Sequence, residues 1–340
     1  MKTSDFTYEL PEELIAQTPA ERRDGSRLMV IDRKTGGLSH RFFYDLPQFL
    51  RPGDCLVVNN SRVLPARLLG KRESGGPAEI LLLKDLGRNL WNCLVKPGKS
   101  LRPGAKVTFG GDRLVGVVES VREGGERVVR FIYDGIWPEL LHQLGALPLP
   151  PYIKEKPSDP ERYQTVYAKP PGSAAAPTAG LHFTENLLAA LRDMGVQVAE
   201  ITLHVGLGTF QPVTAEDVKE HVMHTERFNI SEQAAAVVNQ TRAAGGRVVA
   251  AGTTSCRALE SAVSANGTLQ AGERETGIFI TPGYHFMLTD ALITNFHLPR
   301  STLLMLVSAF HTREGMLAAY REAVRERYRF FSFGDAMLIV

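Results

Sequence analysis

Two different periods of apolar residues divide the chain. From about residue 51 to residue 134, short β-type runs alternate with turn signals and almost nothing repeats at helical spacing. That is the pattern of a compact β-barrel. LRPGDCLVV (50–58) and LRPGAKVTF (101–109) each set a Pro-Gly turn before a strand, and VESVREGGERVVRFI (118–132) reads as a hairpin closed through Gly124 and Gly125. Beyond the proline-rich LPLPPYI (147–153) the period lengthens, and helices of ten or more residues alternate with β-branched runs, as in βα units. Thr184 caps a predicted helix through Leu187, Leu188 and Leu191 that stops at Gly195; Ser231 caps another through Ala234, Val237 and Val238 that stops near Gly245. Strands follow at VQVAEITLHV and RVVAAGTTS, with further strands at GIFIT (277–281), ALITNF and AMLIV, and helices over STLLMLVSAF and EGMLAAYREAVRERY.

The first fifty residues mix both signals, so the economical arrangement is one module set inside another. The expected class is α/β, a largely parallel sheet flanked by helices, with a small inserted β-barrel domain. The α/β domain takes residues 1–60 and 150–340, and the barrel takes 61–149.

Composition narrows the class without changing it. A chain of 340 residues exceeds what one core usually fills, which fits two domains, and 44% hydrophobic with 22% charged residues matches ordinary globular usage. The N-terminus has no apolar run behind basic residues and no stretch reaches the ~20 apolar residues of a membrane span, so neither secretion nor membrane insertion is expected. Cys55, Cys93 and Cys256 are odd in number and far apart, which argues against a disulfide framework or thiolate metal site and fits a cytoplasmic protein. The net charge of +2 is unevenly placed: residues 61–130 hold 14 Lys+Arg against 7 Asp+Glu, leaving 25 against 30 elsewhere. Such a section attracts a polyanion such as RNA, or is simply the solvated outside of a small β domain.

Polar clusters fall where predicted strands end. HVGLGTFQPV (204–213) puts Gly206 and Gly208 at a strand's carboxyl end, where open α/β sheets bind ligands; the alternative is a plain glycine turn, and Pro212 with the missing third glycine argues against a dinucleotide fold. In AGTTSCRALES (251–261), Thr253 and Thr254 open a helix carrying Arg257 and Glu260, suited to an anion or carboxylate, or else to N-capping with an i, i+3 pair. Asn295 and His297 follow a third strand, with Ser301 as cap of the next helix. Thr178, Gly180 and His182 lie in a small-residue loop that permits close approach of a ligand, or merely connects. YRFFSFGDAM (328–337) interleaves aromatics with Arg329 and Asp335, suited to stacking on a base or holding a sulfonium, although buried packing accounts for most of those rings. HVMH (221–224) would put two histidines on one helix face, yet lacks the remaining ligands of a metal site, and none is assigned. Asn59, Asn60, Arg62 and Arg67 stand where the barrel begins, as contacts to RNA phosphate or ribose or as a hinge network.

Taken together NNSRVLPARL, LPLPPYI, ERYQTVYAKPPGSAAAPTAGLHF, HVGLGTFQPV, HVMHTERF, AGTTSCRALES, TNFHLPRSTLLMLVSAF and YRFFSFGDAM closely resemble the S-adenosylmethionine:tRNA ribosyltransferase-isomerase family of queuosine biosynthesis. The likeness spans nearly the whole chain, apart from a variable loop around residues 266–276. It implies a monomeric cytoplasmic enzyme with no bound cofactor. S-adenosylmethionine would be consumed as ribosyl donor, and the partner would be tRNA with a GUN-type anticodon carrying 7-aminomethyl-7-deazaguanine at the wobble position. The products would be epoxyqueuosine-tRNA, adenine and methionine.

That chemistry needs a base at the acidified C5′ and a proton donor for departing adenine. His204 is expected as base and His297 or Asp335 as donor, with Arg257, Thr253 and Thr254 on the methionine carboxylate. Two other readings remain: a methyltransferase acting on RNA with the same donor, and a non-catalytic RNA-binding protein that uses the basic section alone.

Overall fold

The structure is a computed structural model and describes residues 1–155, 159–206 and 213–340. The chain divides into two compact units, one of Met1–Arg62, Pro151–Pro170 and Ala176–Val340, the other of Val63–Pro150 and Pro171–Ala175. The breaks fall at 62/63 and 150/151 where the sequence placed them at 60/61 and 149/150.

The larger unit is built on nine strands: β1 Arg27–Ile31, β2 Leu38–Phe42, β3 Cys55–Asn59, β4 Gln197–Leu203, β5 Glu226–Ile230, β6 Val248–Ala251, β7 Gly272–Thr276, β8 Ala291–Asn295 and β9 Ala336–Ile339. They lie in the order β7-β5-β4-β3-β6-β8-β9-β1-β2. The sheet is mixed, which corrects the largely parallel expectation. β4-β3-β6-β8 form a parallel block and β1 runs parallel to β9, while β7-β5-β4, β8-β9 and β1-β2 pair antiparallel. The central strands read as continuous apolar runs because both of their faces are covered. Leu56, Val58, Val249, Ile293 and Leu338 share a core with Leu187, Leu188 and Leu191, and the alternate residues Val57, Ala250, Leu292 and Met337 are equally buried.

Among the described residues five α-helices cover the sheet: α1 Glu185–Asp193, α2 Glu232–Ala243, α3 Thr253–Ala262, α4 Thr302–Phe310 and α5 Arg313–Arg325. The expected caps are present: Thr184, Ser231 and Ser301 each accept the N–H three residues on, at 3.1 Å. Two expectations fail. GIFIT is not a strand; the strand is the preceding Gly272–Thr276, in what the sequence marked as a variable loop, and it is an edge strand whose exposed, charged residues carry no hydrophobic signal. HVMH is not helical either, since residues 221–225 run without regular structure into β5.

The smaller unit is a closed six-stranded antiparallel barrel. In order around it come Arg67–Arg72, Pro77–Gly87, Leu90–Lys96, Arg127–Tyr133, Leu114–Val121 and Lys106–Phe109, the last pairing back to the first through Lys71↔Thr108 and Arg72↔Val107. Leu68, Ile80, Cys93, Val107, Phe109, Val129 and Phe131 fill it. The expected hairpin turns through Gly124 and Gly125, both at positive φ. All three cysteines are free and buried, and no helix among the described residues is long and apolar enough to cross a membrane.

Candidate active site

β4, β6 and β8 run in one direction, so their carboxyl ends lie at one end of the sheet, and Ala336 at the start of β9 pairs with Asn295 at that same end. The segments that leave and enter there wall a cavity of about 210 Å³. Val205 follows β4, Gly252–Thr254 follow β6, Asn295–Ser301 follow β8, and Phe331 and Ser332 precede β9. Thr178 and Tyr152 complete the polar part of the wall. This is the crevice beyond the strand ends where open α/β sheets hold ligands.

Gly252 makes the helix side of the wall. Its φ of 95° is open to glycine and costly for other residues, and its N–H bonds Ile293 O at 2.7 Å. As the N-cap of α3 it offers no side-chain acceptor, so the first-turn amides of α3 begin uncapped by any side chain. Thr253 and Thr254 of that turn stand in the wall, and the buried Thr254 Oγ1 has no hydrogen-bond partner among the described residues.

Asn295 is held in one orientation. Its Nδ2 donates to His182 Nε2 at 3.0 Å and to the carbonyls of Phe331 and Asp335 at 3.2 and 3.5 Å. Three acceptors around one nitrogen fix the amide of this wall residue, which leaves Oδ1 buried and without a partner among the described residues. Because His182 Nε2 accepts, its Nδ1 carries the proton and donates to Ser26 Oγ at 2.7 Å. His182 is stacked on Phe43 and fully enclosed; burial, with the charges of Arg23 and Arg329, pushes it down to about 3. It therefore orients Asn295 and does not itself reach the cavity.

His297 does reach it. Its Nε2 lies 3.0 Å from Thr294 Oγ1, its N–H donates to Tyr320 Oη at 3.0 Å and its carbonyl accepts from Tyr8 Oη. Burial pushes its ring down to about 3, so the imidazole is neutral at physiological pH.

The remaining sequence candidates stand elsewhere. His204 is half-buried and outside the wall, next to Val205 which is in it; its Nδ1 has no partner among the described residues, and burial with the Arg227 charge lowers its pKa against the pull of Glu273. Asp335 accepts the N–H of Arg27 on one oxygen (2.8 Å) and of Arg329 on the other (2.7 Å), so this carboxylate ties β1 to the 329–335 turn. Burial raises its pKa, but neither oxygen faces the cavity wall. Arg257, expected on a carboxylate, forms a buried ion pair with Glu226 instead, Nη1 to Oε2 at 2.5 Å.

Nor does Arg257 pair with Glu260. That carboxylate accepts from the N–H groups of Met287, Leu288 and Thr289 and the hydroxyls of Tyr284 and Thr289, and so pins the 284–289 loop. Gly180 is required by packing and not by a ligand: a Cβ there would meet Tyr167 Oη at 2.3 Å and Thr165 Cγ2 at 2.7 Å. Gly206 donates its N–H to Glu226 Oε1 at 3.1 Å, and Gly208 lies outside the described residues.

Of the four residues at the start of the barrel, two are structural ties. Asn59 bonds both the N–H and the carbonyl of Leu203, and Asn60 bonds Glu200 and Thr202. Arg62 pairs with Glu161 and Arg67 with Glu79, both partly exposed. His221 packs edge-on to Phe279 and His224 faces Glu226; no group of three or more metal-ligating side chains occurs among the described residues.

Sequence reasoning passed over several wall residues, Tyr152, Val205, Arg300 and Ser332 among them, and one support. Tyr152 and Arg300 lay inside quoted motifs without a signal of their own, and Val205 and Ser332 read as ordinary strand and turn positions. The support is Glu226, which lies inside the quoted HVMHTERF without a signal of its own. Burial pushes its carboxyl up, but the His224 hydrogen bond, the Arg257 charge and the Gly206 N–H together hold it below the usual carboxylate range.

A family model described as queuosine biosynthesis protein matches residues 3–339. Proteins named S-adenosylmethionine:tRNA ribosyltransferase-isomerase are similar over the whole chain. The one from Symbiobacterium thermophilum is 59% identical with 100% of each chain covered, and the one from Clostridioides difficile is 55% identical, again with 100% of each covered. A solved structure titled S-adenosylmethionine tRNA ribosyltransferase, from Thermotoga maritima, is 40% identical with a TM-score of 0.56, covering 99% of this chain and 100% of that one.

Proposed function

Because the chain belongs to the queuosine biosynthesis family of S-adenosylmethionine:tRNA ribosyltransferase-isomerases, we propose that it transfers and isomerises the ribosyl group of S-adenosylmethionine onto 7-aminomethyl-7-deazaguanine at the tRNA wobble position. The products are epoxyqueuosine-tRNA, adenine and methionine. The observation that carries this reading is the end-to-end match to relatives bearing that name. The cavity at the strand ends supplies a place for the nucleoside.

The positive sulfur acidifies the C5′ protons of the donor. A base removes one to give an ylide, adenine leaves C1′ and takes up the proton the base had removed, the substrate amine attacks and gives up a proton, and ring closure with epoxide formation expels methionine. His204, outside the wall itself but adjacent in the chain to the wall residue Val205, is the base in this scheme. It is neutral at working pH because burial and Arg227 lower its pKa, and its Nδ1 is unengaged. His297 donates a hydrogen bond toward adenine as a neutral ring. Asn295 Oδ1, without a partner among the described residues, offers a polar contact to the nucleoside. The +7 section within the barrel attracts tRNA through its field.

Incubation with S-adenosylmethionine and precursor-bearing tRNA is expected to yield adenine and methionine in equal amounts. Adenosylhomocysteine with methylated tRNA would establish a methyltransferase instead, and salt-sensitive binding without turnover would establish an RNA-binding protein. His204→Ala is expected to lower kcat by about 10²–10⁴-fold with an unchanged melting temperature. Wild-type turnover in that variant removes His204 from the base role.

A further inference from the structure

Among the described residues lining the cavity, Arg300 is the only Lys, Arg, Asp or Glu. It is exposed at this edge of the wall, and its guanidinium has no ion-pair or hydrogen-bond partner among the described residues. Its backbone is fixed: φ is 60°, in the left-handed region, and its N–H bonds Phe6 O at 2.7 Å. The first residues of two helices share the same wall, Thr253 and Thr254 of α3 and the cap Ser301 of α4. Helix N-termini carry partial positive charge, and α3 lacks a side-chain cap. The buried Thr254 Oγ1 without a partner stands at that uncapped turn. A cavity with one cation, no carboxylate and two helix N-termini favours a ligand that brings a negative group of its own.

We propose that Arg300, with the uncapped first turn of α3, clamps the carboxylate of the methionine end of S-adenosylmethionine; Arg257, expected in that role, is not a wall residue and its Nη1 is held by Glu226. This rests on the reading of S-adenosylmethionine as donor, whose only anionic group is that carboxylate. The donor then lies with its amino-acid end at Arg300 and its nucleoside against the inner wall of Asn295, His297 and Phe331.

The test compares Arg300→Asn, which removes the charge while tolerating the left-handed backbone, with Arg300→Lys, which keeps the charge. S-adenosylmethionine and its decarboxylated analogue serve as probes, and adenine release is the readout. Arg300→Asn is expected to raise KM for S-adenosylmethionine by about 10- to 100-fold. KM for tRNA should stay unchanged and kcat should fall much less, with Arg300→Lys recovering part of the loss. Wild type and Arg300→Asn should handle the decarboxylated analogue alike. An Arg300→Asn variant that raises KM for tRNA and leaves that for S-adenosylmethionine unmoved places the guanidinium on a tRNA phosphate and overturns the clamp. Equal losses with both probes also overturn it. In either case adenine release by the wild type leaves the donor reading intact, whereas no release by the wild type removes both.

Discussion

Glu226→Ala is expected to lower the unfolding free energy by about 3–5 kcal/mol, because it leaves the Arg257 guanidinium buried without its counter-charge. The side chains of the pair are 2% and 1% exposed, so water cannot replace the lost partner. The same substitution removes the acceptor of the Gly206 N–H, next to Val205 in the cavity wall, so activity should fall with stability. Replacing both partners, Glu226→Leu with Arg257→Met, should recover much of the loss, since no charge then remains to be buried. Urea midpoints of the two single variants and the double variant measure this. Single variants that each cost under about 1 kcal/mol would show that the pair is hydrated and carries little.

The second large effect is on acid stability. His182 and His297 are both pushed down to about 3, chiefly by burial, from an ordinary value near 6.5. Their folded pKa values lie below the unfolded ones, so between about pH 6.5 and 3 the unfolded chain binds protons that the folded chain refuses. The stability these rings contribute is fully present above pH 6.5 and is lost as pH falls. Each ring contributes a slope of about 1.4 kcal/mol per pH unit, and together about 2.7. Urea unfolding at pH 7, 6 and 5 should reveal it before the carboxylates begin to titrate. His297→Gln should reduce the slope by about 1.4 kcal/mol per unit. A flat profile down to pH 5 would mean that both rings are solvated.

What the sequence made legible was local. Caps at Thr184, Ser231 and Ser301 and the Gly124-Gly125 turn need only a few neighbouring residues, and each is where its residues put it. The barrel was legible because period-2 runs between turns leave little else to form. The flanks of the large sheet were not: β7 is exposed and charged, and nothing in GERET distinguishes an edge strand from a loop. Strand direction also escaped, because β9 returns antiparallel beside β8 through contacts made 40 or so residues apart in the chain.

The polar clusters at strand ends were visible, and Thr178, Thr253, Thr254, Asn295 and His297 do share one wall. The division of labour among them was hidden. Arg257 and Glu260 look like an i, i+3 pair, yet each is claimed by a partner 27 to 31 residues away. Gly180 looks like room for a ligand, but the packed Tyr167 ring takes that space. Arg300 was passed over because an arginine before a helix cap is ordinary in sequence. Only the surrounding wall, with no other Lys, Arg, Asp or Glu among its described residues, gives it meaning.

The proposed reaction requires the cavity beyond β4, β6 and β8 to hold the donor nucleoside. A crystal structure of the protein with S-adenosylmethionine bound tests this most directly. The expected density fills that cavity, with the nucleoside against Asn295, His297 and Phe331 and the methionine carboxylate within hydrogen-bond reach of Arg300. Density for an ordered donor elsewhere on the protein, with this cavity empty, would contradict it.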